Sequence, residues 1–113
     1  MSMFQWQVRV YYEDTDSGGV VYYANYLRFM ERARTEWMRA LGFEQDRLLR
    51  EDGILFAVRA ASIDYLRPAR FNDLLSVSLD VVQRGRASLT FRQVVARYAD
   101  EQLPLCSAQV KIA

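Results

Sequence analysis

The residues best suited to chemistry lie together near the start of the chain, where two aspartates precede a pair of glycines. Asp14 and Asp16 are followed by a pattern typical of a long helix, which begins at Asn25. The first turn of a helix exposes backbone N–H groups without intrahelical acceptors, at the positive end of the helix dipole. Such donors stabilise the charge that a carbonyl oxygen gains in acyl transfer, while a carboxylate attacks the carbonyl or deprotonates a water. The segment is therefore a candidate site for thioester hydrolysis.

Two other interpretations of this segment stay open on the residues alone. Acidic, hydroxyl and glycine residues before a helix are also typical of an N-cap and a turn. A calcium-binding loop is less well supported, because the segment lacks the twelve-residue ligand pattern and its closing glutamate.

The absence of histidine from the 113 residues excludes several kinds of site. Ser-His-Asp and Cys-His nucleophile systems, His-Asp dehydratases and imidazole metal sites all need this residue. The single cysteine, Cys106, cannot form an internal disulfide, and we expect it to be a buried small hydrophobic residue. Catalysis must then use carboxylates, hydroxyls or the backbone, and we expect neither a metal nor another cofactor.

Length and charge narrow the class of protein. A chain of 113 residues, of which 51% are hydrophobic, is expected to fold as one domain over residues 1–113. Its net charge of +1 gives no general attraction to nucleic acid. No stretch approaches the roughly 18 apolar residues of a membrane span, and the start lacks the apolar core of a secretory signal. We therefore expect a cytoplasmic protein with no nucleic-acid partner and no transmembrane segment.

Periodicity predicts the elements that must position the candidate site. Alternating apolar residues predict a strand over 4–12, and apolar residues at three- and four-residue steps predict a helix from Asn25 to Leu41, ended by Gly42. A short polar helical turn follows over 44–52. Four more strands are predicted over 54–65, 74–82, 87–98 and 103–112. This order predicts an α+β fold, with a helix on one face of a largely antiparallel sheet.

The same patterns predict which side chains share a buried face. In the first strand they are Phe4, Trp6, Val8, Val10 and Tyr12. In the helix the stripe consists of Tyr26, Met30, Ala33, Trp37 and Leu41. We assign the helical stripe to the core, because its spacing matches one face of a helix.

A set of motifs extends from the candidate loop over nearly the whole chain. They are VRVYYEDTD (8–16), GGVVY (18–22), NY (25–26), ERARTE (31–36), Tyr65, Pro68-Ala69-Arg70 and Asp73. With these motifs the chain resembles the hotdog-fold acyl-CoA thioesterases of the 4-hydroxybenzoyl-CoA thioesterase family, in particular the YbgC-type subfamily associated with the Tol-Pal gene cluster. The resemblance implies a five-stranded antiparallel sheet wrapped around one long helix. It also implies pairing of two chains edge to edge, so we expect a homodimer or homotetramer.

The resemblance implies catalytic roles for two residues. Asp16 matches the family's essential carboxylate, as nucleophile or general base, while Asp14 supports the loop and is the second candidate for the reacting group. The backbone N–H of Tyr23 polarises the thioester carbonyl. YbgC-type relatives usually carry a histidine at this position, but a main-chain N–H is supplied by any residue except proline.

Further residues are implied to bind the substrate. Gly19 lets the loop turn closely against it. Arg84 and Arg86 flank a hairpin that in the family lies near the CoA nucleotide, so they are candidates for its phosphates, although hairpin arginines are often simply solvated. The pocket wall is assigned to Val20, Tyr22, Phe56 and Val58, of which the last two reach the site of the partner chain.

We therefore expect an acyl-CoA thioesterase that hydrolyses a short-chain, medium-chain or aromatic acyl-CoA to free acid and CoA. An acyl carrier protein is a further possible partner. The alternative is a non-catalytic module that binds acyl-CoA or acyl carrier protein, in which Tyr23 has replaced a needed histidine. A hotdog dehydratase is a third hypothesis, which the absence of histidine disfavours.

Overall fold

The computed structural model describes residues 3–113, which form a sheet of five strands and one long helix. The predicted order of one strand, one helix and four strands is confirmed. The strands are β1 (Phe4–Arg9), β2 (Val58–Tyr65), β3 (Leu74–Arg84), β4 (Leu89–Arg97) and β5 (Asp100–Ile112). The helices are α1 (Asn25–Ala40) and the short α2 (Gln45–Arg47), with a 3₁₀ turn at Tyr12–Asp14 and a π-helical turn at Leu48–Asp52.

Neighbouring strands of the sheet are antiparallel, in the order β1-β3-β4-β5-β2. The first strand pairs with β3, and its register places Phe4 opposite Leu79. β2 pairs with β5, with Ile63 opposite Ala108. The two outer edges of the sheet are therefore β1 and β2, and each presents backbone groups that face no other strand of the described chain.

The helix α1 covers one face of the sheet and supplies much of the core. Phe29, Met30 and Ala33 are fully buried, because their spacing places them on one stripe of the helix. The buried sheet residues of the same cluster include Leu75, Val77, Leu79, Phe91, Val95 and Val110. Burial of an aliphatic or aromatic side chain contributes about 1.5–3 kcal/mol. These contacts fix α1, and with it the position of its first turn, on the sheet.

Two predicted core positions are wrong. Tyr12 is 76% exposed, because β1 ends before it and the chain enters the 3₁₀ turn. Its ring instead stacks on Phe71, with ring centroids 4.0 Å apart. Leu41 is 57% exposed, because α1 ends at the preceding residue and Gly42, with a φ of 95°, turns the chain away.

The predicted strand over 54–65 begins later than expected, at Val58. Ile54 and Leu55 precede the strand and are 45% and 69% exposed. Within β2 every residue except Ile63 is exposed, since the strand pairs only with β5. β2 is thus an open edge strand whose two faces are largely uncovered in the single chain.

A buried polar network ties α1 to β4. The Nη1 of Arg34 donates to Oε1 of Gln93 at 2.9 Å, and the Nε2 of Gln93 donates to the carbonyl of Met30 at 3.0 Å. Burial lowers the pKa of Arg34, and the nearby carboxylate of Glu31 opposes this shift. The network satisfies polar groups that would be costly to bury alone.

Cys106 is fully buried, as expected, and burial raises the pKa of its thiol to about 12. Within residues 3–113, no helix has the length and apolar character needed to cross a membrane.

Candidate active site

Asp16 lies at the start of a tight turn that its own groups close. Its Oδ1 accepts the N–H of Gly18 at 2.8 Å, and its carbonyl accepts the N–H of Gly19 at 3.1 Å. The Asp16 N–H donates to the carbonyl of Val20 at 2.9 Å. Gly19 has a φ of 79°, which side chains rarely adopt, so the turn favours glycine there. The carboxylate is exposed, and no donor from the described chain contacts its Oδ2.

Asp14 has the opposite environment. It is 6% exposed, its Oδ1 accepts from Nδ2 of Asn25 at 2.8 Å, and its Oδ2 accepts from the Tyr11 N–H at 2.9 Å. Its own carbonyl accepts from the N–H of Tyr22 at 2.9 Å. Because Asn25 is the first residue of α1, these bonds attach the loop to the start of the helix.

The backbone N–H groups just before α1 are unused within the described chain. The carbonyl of Tyr22 accepts the N–H of Asn25 at 2.8 Å, so it points toward the helix. Since C=O and N–H point in opposite directions across a planar trans peptide, the Tyr23 N–H points away from the helix. Within residues 3–113, neither Tyr23 nor Ala24 donates its N–H to an acceptor. A carbonyl oxygen placed there would receive a hydrogen bond at the positive end of the helix dipole.

Aromatic rings surround this helix start. A cavity of about 260 Å³ is lined by Val21, Tyr23, Tyr26, Tyr65, Leu66, Arg67 and Pro68. The hydroxyl of Tyr65 donates to the carbonyl of Tyr23 at 3.1 Å. The hydroxyl of Tyr26 accepts the N–H of Ala69 at 2.9 Å. Burial raises the pKa of both Tyr26 and Tyr65, so each phenol keeps its proton at neutral pH.

A second, larger groove runs beside the middle of α1. Its volume is about 510 Å³, and its lining includes Leu27, Glu31 and Arg34 from the helix with Val58 and Ala61 from β2. Phe56 lines a smaller neighbouring cavity of about 130 Å³, together with Val58. In the single chain, these two predicted pocket residues therefore lie beside the middle of α1 and not at its start.

Arg84 and Arg86 lie at the β3–β4 hairpin, at the other end of the molecule. Arg84 lines a cavity with Trp37 and Leu41, which lie at the end of α1. A helix of 16 residues is roughly 24 Å long. The hairpin arginines and Tyr23 are thus separated by about the length of α1 within one chain.

The structure brings together the predicted site residues of the loop and separates the others from them. The five loop residues are Asp16, Gly19, Val20, Tyr22 and Tyr23. Sequence reasoning missed what Asn25 and Tyr65 do, although both belong to the motifs of the resemblance. Their signal was a polar side chain at a helix start and a tyrosine just before a Pro-Ala segment, and neither indicates its partner.

The family described as the thioesterase superfamily matches residues 18–103, which is more than half of the chain. The chain belongs to the thioesterase superfamily. The match begins just after Asp16, so it includes Tyr23 but not the exposed carboxylate.

Other thioesterases are similar along most of the chain. The acyl-CoA thioesterase YbgC of Haemophilus influenzae is 48% identical over 110 residues, which are 97% of this chain and 79% of that protein. The acyl-CoA thioester hydrolase YbgC of Escherichia coli O6:H1 is 47% identical over 92 residues, or 81% of this chain and 68% of that protein. A solved probable thioesterase from Bartonella henselae has a TM-score of 0.91 and 35% identity, over 99% of this chain and 90% of that chain. The expected hotdog fold and family resemblance are confirmed.

Proposed function

We propose that this thioesterase hydrolyses acyl-CoA to the free acid and CoA. The observation that carries the proposal is an exposed Asp16 carboxylate together with an unused Tyr23 N–H, on a loop attached to the start of α1. The names of the YbgC relatives support CoA as the carrier. The proposed acyl groups are short-chain, medium-chain or aromatic, and an acyl carrier protein is the alternative carrier.

In the proposed reaction the thioester carbonyl oxygen accepts a hydrogen bond from the Tyr23 N–H. Negative charge grows on this oxygen as the tetrahedral intermediate forms, and one such donor is typically worth about 10²–10³ in kcat. Asp16 either attacks the carbonyl carbon, giving an anhydride that water then hydrolyses, or takes a proton from the attacking water. CoA leaves as a thiolate, and because a thiol has a pKa of about 8.5 this step needs little help from an acid.

The proposed working unit is a homodimer joined along β2. This strand is exposed on both faces and has an open outer edge. If two copies of β2 pair antiparallel about their midpoint, position 58 of one chain lies beside position 65 of the other. The partner's Val58, with Phe56 before it, would then approach the end of β2 where Tyr65 meets Tyr23. Two such dimers would form the expected homotetramer.

The substrate contacts are thus proposed to come from more than one chain. Gly19, Val20 and Tyr22 surround the reacting carbonyl from the loop that carries Asp16. Arg84 and Arg86 would bind CoA phosphates from another copy, since in their own chain they lie beyond the end of α1. Guanidinium groups suit phosphate because their paired donors match its oxygens.

The proposed setting is the cytoplasm, with a role in envelope lipid metabolism beside the Tol-Pal system. A lone, buried Cys106 is compatible with a reducing compartment. The Tol-Pal association is supported by the resemblance to the YbgC-type subfamily alone.

The test is a thiol-release assay across short, medium, long and aromatic acyl-CoAs, with Asp16→Asn and Asp46→Asn assayed in parallel. Asp46 is a matched control because it lies on the surface of α2. We expect Asp16→Asn to lower kcat by about 10²-fold or more, since the amide keeps the shape of the side chain but loses its charge. Equal turnover by wild type and Asp16→Asn contradicts the proposal. Saturable CoA binding without thiol release would favour the binding module instead.

A further inference from the structure

Tyr65 occupies a distinctive position relative to the candidate donor. It is the last residue of β2, and its ring meets that of Tyr23 edge-on, with centroids 6.0 Å apart. Its hydroxyl donates to the main-chain carbonyl of Tyr23 at 3.1 Å. A side chain from the edge strand thus contacts the backbone of the residue whose N–H faces away from α1.

The backbone of Tyr23 is consequently held on both sides. The peptide before it is fixed by the bond from the Asn25 N–H to the carbonyl of Tyr22. The peptide after it is fixed by the Tyr65 hydroxyl. Because each peptide rotates as a planar unit, the two bonds together restrict the direction of the Tyr23 N–H.

Tyr26 shows that a buried phenol at this site need not act in this way. Its hydroxyl accepts the N–H of Ala69, so it fixes the segment that follows β2 and makes no bond to the Tyr23 peptide. Tyr26 is 3% exposed, whereas Tyr65 is 44% exposed. The hydroxyl of Tyr65 therefore holds the backbone at the start of α1, whereas that of Tyr26 holds the segment after β2.

We propose that Tyr65 is a positioning residue for the reaction, which acts by holding the Tyr23 peptide so that its N–H points at the thioester carbonyl. This inference rests on the proposed thioesterase function. The hydroxyl takes no part in bond making. Its effect is to fix the direction of the Tyr23 N–H in advance. A donor that is already oriented stabilises the charge on the carbonyl oxygen as it develops, without having to reorient.

The test replaces the hydroxyl and keeps the ring, with Tyr65→Phe compared with Tyr98→Phe. Tyr98 is a suitable control because it directly follows β4 and is half exposed. We expect Tyr65→Phe to lower kcat about 5- to 20-fold with KM within about twofold, since a donor that acts in the transition state affects kcat. Tyr98→Phe should match wild type. An unchanged kcat in Tyr65→Phe overturns the inference.

A binding measurement separates this inference from the proposed function. Asp16→Asn is loaded with an acyl-CoA labelled with ¹³C at the carbonyl, and the infrared C=O stretch is recorded with and without Tyr65→Phe. We expect the shift to lower frequency in the Asp16→Asn protein to shrink when Tyr65→Phe is added, because a less ordered N–H polarises the carbonyl less. An identical shift overturns the positioning role even if wild type hydrolyses acyl-CoA. Absence of thiol release from wild type would instead overturn the proposed function.

Discussion

Asp14 and Asp16 are the same residue type two positions apart, but they differ in burial and in how many of their carboxylate oxygens are bonded. Asp14 is buried, and its two oxygens accept one bond from the Asn25 side chain and one from the Tyr11 N–H. Asp16 is exposed, and only Oδ1 is engaged, by the N–H of Gly18. One carboxylate is committed to protein donors, and the other presents an oxygen to solvent.

The difference teaches how one acidic loop can serve two purposes. A carboxylate that accepts several hydrogen bonds away from water holds the segments that donate them. A carboxylate with a free oxygen can approach a substrate carbonyl or a water. Structural support and chemical reactivity are thus divided between neighbouring residues, and the supporting one places the loop that carries the reactive one.

The largest expected effect on stability separates the two aspartates directly. Asp14→Ala removes two hydrogen bonds and leaves the buried Asn25 amide without its partner, so we expect the free energy of unfolding to fall by about 2–4 kcal/mol. Asp16→Ala, at an exposed position, should lower it by less than about 1 kcal/mol. Urea denaturation of both variants measures this contrast. Equal losses would remove the distinction between the two residues.

A smaller effect tests whether Asp14 acts through Asn25. In a double-mutant cycle of Asp14→Ala and Asn25→Ala, we expect a coupling energy of about 1–2 kcal/mol, because the two side chains share one buried bond. The measurement is again urea unfolding of wild type, both single variants and the double variant. Additive losses would mean that the bond between them contributes nothing to the attachment of the loop.

A further effect of similar size concerns the turn that carries Asp16. Gly19→Ala places a side chain at a φ of 79° with no steric contact, so only backbone strain of about 1–2 kcal/mol should result. The matched control is Gly42→Ala, because Gly42 has a φ of 95° and follows the end of α1. Both should lose similar stability in denaturation, but only Gly19→Ala should lower kcat/KM for acyl-CoA. Identical kinetics for the two variants would show that the Asp16 turn tolerates distortion.

Much of the fold could be predicted from the spacing of apolar residues. The helix from Asn25 and its end before Gly42 are visible in the sequence, because a helical stripe and a glycine stop are local patterns. The prediction that Tyr12 is buried was wrong, because the alternation of apolar residues does not reveal where a strand stops pairing. The predicted start of β2 was wrong for a similar reason, since the strand pairs with β5 residues about fifty positions away in the sequence.

The candidate site was predictable where its residues are close together in the sequence. Asp16 and Tyr23 lie in one short segment whose composition and resemblance indicate a thioesterase loop. The contact of Tyr65 with Tyr23 joins positions 42 residues apart, and no pattern in the chain indicates it. The separation of Phe56, Val58 and the hairpin arginines from the loop was equally invisible, because sequence motifs carry no distances.

The sequence by itself determined the chemistry available, namely carboxylates and backbone donors without imidazole, and the order of the elements that present them. Only the tertiary structure decided which aspartate is exposed, which N–H is unused and which tyrosine contacts its peptide. The physical reason is that composition and periodicity are local properties of the chain. Burial and hydrogen-bond partnership depend on segments distant in sequence that meet only when α1 packs on the sheet.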